Sequence, residues 1–151
     1  MVKEKNKIIG YTKGVFDLFH IGHLNILKAA KSMCDELIVG VTTDELAITR
    51  KNKKPVIEFS ERIEIIRSLR YVDRAIPQEK MDELSDWHNL HFNKLFVGDD
   101  WKGTDRWIHL ERDLSNYNVE IVYLPYTQKT SSTKLTKVIE IMLETASGAA
   151  I

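Results

Sequence analysis

The chain has 151 residues, 43% of them apolar, which suits one compact α/β domain with a core of ordinary size and leaves no room for a second. Lysine and arginine total 22 and aspartate and glutamate 22, so no global field draws the protein to nucleic acid or an anionic membrane, and any anion site must be local. The single Cys34 excludes an internal disulfide, and no apolar run approaches the ~18 residues of a spanning helix or follows a basic start, so the expectation is a cytoplasmic protein without a membrane span.

In chain order, Met1 to Lys7 is a polar, lysine-rich lead-in expected to fray, as is the tail from Ala146 to Ile151. Ile8 to Thr12 reads as a short buried strand, and Leu24, Leu27 and Ala30 or Lys31 then fall at helical spacing. Cys34 lies at the seam with the next apolar run and reads as a small packed thiol rather than a nucleophile. Glu36 to Thr42 (ELIVGVT) is continuously apolar, as a parallel strand covered on both faces must be, and completes a βαβ unit with a right-handed crossover.

Asp44 to Ile48 reads as a helical turn. Ser60 is placed as the N-cap of a helix running to about Leu69, with Ile63, Ile66 and Leu69 inward. Val72 to Ile76 is a strand that Pro77 should end, Asp82 to Leu90 a helix, and Leu95 to Val97 a strand delivering Gly98-Asp99-Asp100-Trp101. Thr104 to Asn116 is amphipathic on Trp107, Leu110 and Leu114. Glu120 to Leu124 is the last strand and Lys134 to Glu144 the final helix. This alternation predicts an α/β, Rossmann-like open parallel sheet of about five strands, order 3-2-1-4-5, with helices on both faces and a ligand at the carboxyl ends.

The stretch Gly14-Val15-Phe16-Asp17-Leu18-Phe19-His20-Ile21-Gly22-His23 joins the first strand to the first helix. Helix N-termini carry unpaired N–H groups and partial positive charge, so this turn is a phosphate seat. His20 and His23 are three residues apart and share one helical face. Two readings stand: both imidazoles aim at one phosphate, or one caps the helix while the other packs against the sheet. Similarly, Arg50-Lys51-Asn52-Lys53-Lys54-Pro55 is either a solvated loop or a flap carrying ammonium groups to an anion, and Ser131-Ser132-Thr133 either caps the last helix or binds phosphate.

The turn resembles the Gly-x-Phe-Asp-x-x-His-x-Gly-His signature of the HxGH nucleotidyltransferase superfamily, and the chain resembles its small bacterial cytidylyltransferases, above all those using glycerol 3-phosphate, over residues 8 to 140. The resemblance implies transfer of the cytidylyl group of CTP to a small phosphorylated alcohol, Mg²⁺ bound with the triphosphate, and a homodimer. It implies His20, His23, Lys53 and Arg70 (within Arg70-Tyr71-Val72-Asp73) as catalytic residues and Lys51 as the contact to the acceptor phosphate. Val15, Phe16, Asp17, Gly22, Arg62, Asp100, Trp101, Thr127, Ser131, Ser132 and Thr133 would bind the nucleotide; Asp17, the nearest acid to the histidines, either orients one of them, the first-ranked reading, or contacts the metal shell. Where the family reads Arg-Thr-x-Gly-Ile-Ser-Thr-Thr, this chain has Tyr126 for the arginine, Lys129 for the glycine and Thr130 for the isoleucine. Tyrosine brings no positive charge, and Lys129, three residues on, is the expected substitute.

Overall fold

The protein is described by a computed structural model covering residues 6–125 and 131–149. Five strands, β1 (Ile9–Gly14), β2 (Glu36–Thr42), β3 (Arg74–Gln78), β4 (Lys94–Gly98) and β5 (Glu120–Leu124), form one parallel sheet in the order β3-β2-β1-β4-β5. That is the order expected from the alternation of elements, and it puts β1 at the centre. Six helices accompany the sheet: α1 (Ile21–Ser32), α2 (Asp44–Lys51), α3 (Phe59–Arg67), α4 (Glu83–Leu90), α5 (Asp105–Ser115) and α6 (Ser132–Ala149).

Side chains alternate across β2, so Leu37, Val39 and Val41 enter one core with Leu27 and Ala30 of α1 and Ile63 and Ile66 of α3. Ile38 points the other way, into a second core with Tyr11, Leu95 and the Trp107, Leu110 and Leu114 stripe of α5. Cys34 fills a gap beside β1, where a Cβ on Gly10 would meet its sulfur at 2.7 Å and the Phe96 ring at 2.6 Å. Its thiol donates to the Ala30 carbonyl, and burial pushes its pKa up, as a packed thiol requires.

Three local expectations are corrected. α3 begins before Ser60, with Glu58 at the N-cap position and no side-chain cap, so Ser60 lies inside the helix. Pro77 lies within β3, opposite Val41, and does not end it. β3 is an edge strand, where the missing N–H interrupts no second ladder. Finally, α6 runs through Ala149, past the expected fraying point at Ala146.

Candidate active site

The β1–α1 turn is built by main-chain chemistry. Phe16 and Leu18 adopt left-handed φ angles of 55° and 49°, a conformation that costs non-glycine residues ~1–2 kcal/mol each. The strain is held by a clamp. The Asp17 carboxylate accepts from the N–H groups of Val56 (2.8 Å), Ile57 (2.9 Å) and its neighbour Leu18 (3.1 Å), tying the turn to the chain that follows α2. The carboxylate therefore anchors a loop and does not orient a histidine, contrary to the sequence expectation.

The capping reading holds for one histidine of the pair, and the other is packed among aromatic rings. His20 is the N-cap of α1, its Nδ1 accepting from Gly22 N–H at 3.0 Å, while His23 Nδ1 accepts from the His20 N–H at 3.2 Å. With both Nδ1 atoms acting as acceptors, each neutral ring carries its proton on Nε2. The rings lie 4.0 Å apart between centroids, and His23 is further held by Phe19 stacked at 5.4 Å and Phe16 edge-on at 5.4 Å. His23 Nε2 is 3.3 Å from Ser132 Oγ, whose own hydroxyl donates to the Asp17 carbonyl at 2.6 Å. Ser132 thus carries a chain of hydrogen bonds from α6 to the turn, and Asp17 steadies His23 through its backbone. Burial, reinforced by the neighbouring His20, pushes the His23 pKa down to about 4, and burial also lowers that of His20. Both rings are neutral donors at pH 7.

These residues line a cleft of about 630 Å³ over the carboxyl ends of β1 and β2, together with Val15, Phe16, Asp17 and Gly22, the basic loop, and Ser131, Ser132 and Thr133 of α6. The loop is tethered at both ends, by the left-handed Asn52 that caps α2 and by the Asp17 clamp at Val56 and Ile57. Lys53 and Lys54 face the cleft between those ties, Lys51 faces it from the last residue of α2, and Lys53 pairs with Glu140 of α6. Ser131 Oγ accepts from Lys134 N–H at 3.0 Å, so this hydroxyl is spent as a helix cap.

Arg62 is corrected: it is a structural residue, not a nucleotide ligand. Its side chain is 1% exposed and donates to the carbonyls of Ile57 (2.8 Å), Val15 (2.7 Å) and Thr42 (2.7 Å) and to Asp44 Oδ1 (2.7 Å). It welds the ends of β1 and β2 to the start of α3. Arg70 is not brought to the cleft either. It follows α3, which descends from the carboxyl edge, and precedes Arg74, which opens β3 opposite Ile38 near the amino edge; its guanidinium bonds the adjacent Tyr71 hydroxyl.

Asp100 and Trp101 sit in a 3₁₀ turn after β4. Trp101 lines a separate, smaller cavity, and Asp100 is exposed and lines neither. Thr127 and Lys129, with Tyr126 and Thr130, lie outside the described residues. Sequence reasoning named Lys54 only as part of the basic run, and missed Phe19, which stacks on His23, and Lys137 and Glu140, which line the cleft. For the last two the only available signal was helical spacing from Thr133, at i+4 and i+7.

A resident metal does not fit these residues. The cleft's carboxylates are Asp17 and Glu140, both engaged, and among the described residues no three His, Cys, Asp or Glu side chains are placed to hold an ion. What the arrangement offers instead is donors: neutral imidazole N–H groups and ammonium groups lining one cleft.

Comparisons with known proteins place the chain in a family. Residues 11–141 match the family model described as Cytidylyltransferase-like. The chain is 37% identical over 133 residues to the glycerol-3-phosphate cytidylyltransferase of Bacillus subtilis, covering 85% of this chain and 93% of that protein. It is also 32% identical over 143 residues to the FAD synthase of Thermococcus sibiricus, covering 94% and 97%. Among solved structures, the lipopolysaccharide core biosynthesis protein of Thermoplasma volcanium superposes with a TM-score of 0.68 at 26% identity, over 83% of this chain and all of that one. Fold and site together define a nucleotidyltransferase. The chain belongs to the cytidylyltransferase-like family.

Proposed function

We propose that the protein joins CTP and sn-glycerol 3-phosphate to give CDP-glycerol and pyrophosphate. The observation that carries this reading is the His20–His23 pair, neutral and proton-bearing on Nε2, set opposite the ammonium groups of Lys51, Lys53 and Lys54 across one cleft. A phosphate oxygen of the acceptor attacks the α-phosphorus in line, forming a P–O bond as the bond to pyrophosphate breaks. At pH 7 that oxygen is already anionic, so no general base is required, and catalysis rests on alignment and charge stabilisation. His20 donates to the α-phosphate, and His23, turning its Nε2–H from Ser132 Oγ to the incoming anion, donates beside it. Lys53, leaving Glu140, takes the triphosphate, and Lys51 the acceptor phosphate. Mg²⁺ enters with the nucleotide as part of the substrate.

The resemblance also carries a homodimer into this proposal, and the exposed Ile141, Met142 and Leu143 of α6 supply apolar surface for it. Light scattering at micromolar concentration is expected to read twice the chain mass; a single-chain mass removes the dimer.

The test of mechanism separates capping from catalysis at one residue. Asparagine is a good N-cap, so His20→Asn keeps an acceptor for the Gly22 N–H while removing the Nε2–H donor. Turnover is expected to fall at least about a hundredfold, as when one transition-state donor is lost, with the melting midpoint nearly unchanged. Near-normal turnover would remove the histidine pair from the chemistry.

A second reading is adenylyl transfer to FMN, favoured by archaeal FAD synthases that match at 30–36% identity over most of the chain. Pyrophosphate release from CTP or ATP, with glycerol 3-phosphate, ribitol 5-phosphate or FMN in turn, decides between them.

A further inference from the structure

A second cavity, of about 140 Å³, lies on the other side of the β1 carboxyl end and holds a cluster the mechanism above does not use. Lys13, the penultimate residue of β1, is 8% exposed, with Glu83 Oε1 at 3.0 Å and Asp86 Oδ2 at 3.2 Å. Glu83, 4% exposed, is gripped from its other side by Arg106, which donates to both carboxylate oxygens at 2.7 and 2.8 Å. Trp107 lines the same cavity, and its indole N–H is buried without an acceptor. An unmet buried donor costs ~1–3 kcal/mol, and an ammonium group with two acceptors has capacity for a third. Burying charge in this way also demands compensation that a wall of plain hydrocarbon would not. The cavity is therefore donor-rich and suited to a ligand that brings oxygen atoms.

Its position gives the ligand a second property. Gly14 and Arg50 line this cavity while their chain neighbours Val15 and Lys51 line the main cleft, so the two spaces meet across single peptide units. A molecule whose phosphate sits by Lys51 can extend its other end toward Lys13. With less than a quarter of the main cleft's volume, the second cavity suits a short chain rather than a fused aromatic ring system.

We propose that this cavity binds the hydroxyl-bearing end of a short polyol phosphate, with Lys13 and Trp107 donating to the hydroxyl oxygens and Glu83 accepting from them. This rests on the transferase reading for the placement of the phosphate, and it selects the polyol over the flavin as acceptor class. Lys13 and Trp107 are then specificity-determining residues for the acceptor.

The protein has three tryptophans and so three indole N–H signals in a ¹⁵N-correlated spectrum; the one missing from Trp107→Phe belongs to Trp107. Titrating sn-glycerol 3-phosphate into the full chain is expected to move that signal, and Lys13→Met to raise the half-saturating concentration at least tenfold. Should Lys13→Met not fold, Trp107→Phe serves alone, raising KM for the acceptor at least threefold with kcat and the nucleotide KM within twofold. A signal that stays still at saturating acceptor, or that moves equally with FMN, overturns the proposal. A signal that moves without turnover on CTP overturns the proposed reaction and leaves this site standing; turnover with a still signal does the reverse.

Discussion

The two walls of the main cleft are built on opposite plans. On one side, the β1–α1 turn is a frame: Asp17, Arg62, His20 and His23 are committed to specific backbone or side-chain partners, and Arg62 is wholly buried. On the other, Lys51 at the end of α2 and Lys53 and Lys54 on the arm beyond it are exposed, and among the described residues their cross-cleft ion pair is the solvent-exposed one of Lys53 with Glu140. The frame fixes neutral donors in position, and the arm carries charge that can be redeployed. Charge in a sequence thus does not by itself mark a ligand contact: the most buried cation of the cleft region, Arg62, is the one that holds the scaffold.

Breaking the frame should cost folding, and breaking the arm should not. The largest effect is expected from Arg62→Met, which leaves three carbonyls and Asp44 without their buried partner. A loss of about 3–5 kcal/mol in denaturant unfolding is expected, with activity lost as the turn loosens. A loss under 1 kcal/mol would mean that Arg62 is not the weld described.

Acid should produce a somewhat smaller effect through His23. Its folded pKa of about 4 lies below the unfolded value of 6.5, so the unfolded chain binds more protons between those two values. Stability is then fully present above about pH 6.5 and falls as pH drops toward 4, by an amount on the order of 3 kcal/mol from this group. His23→Asn should flatten that part of the stability profile; an unchanged slope would show the acid sensitivity lies elsewhere.

The smallest effect is expected on the arm. Glu140→Gln removes an exposed ion pair worth under ~1 kcal/mol and should leave the melting midpoint within error, while lowering KM for the nucleotide severalfold because Lys53 no longer has to be released. An unchanged KM would assign Lys53 no part in nucleotide binding.

Much of this was legible in the residues. Apolar runs such as ELIVGVT can hardly be anything but buried parallel strands, and the strand–helix alternation carried the sheet order. The histidine pair could be read from its spacing and its place after a strand. Arg62 was misplaced because the resemblance assigned a nucleotide contact to an arginine at this position. Its spacing four before Ile66, on the buried stripe, was the signal against that reading. Arg70 could have been placed by direction alone, since a helix feeding a parallel strand ends at the amino edge, far from the ligand. The role of Ser132 was beyond sequence reasoning, for it depends on a hydrogen bond spanning 115 positions.

Pro77 has a consequence beyond its own strand. β3 forms one margin of the sheet, and at its fourth residue the outer margin offers no amide hydrogen. An extended segment from a neighbouring molecule, zipping along that margin, would meet a missing rung at once. The imino ring thereby works as a gatekeeper, discouraging the edge-to-edge strand addition by which exposed strands extend into fibrils.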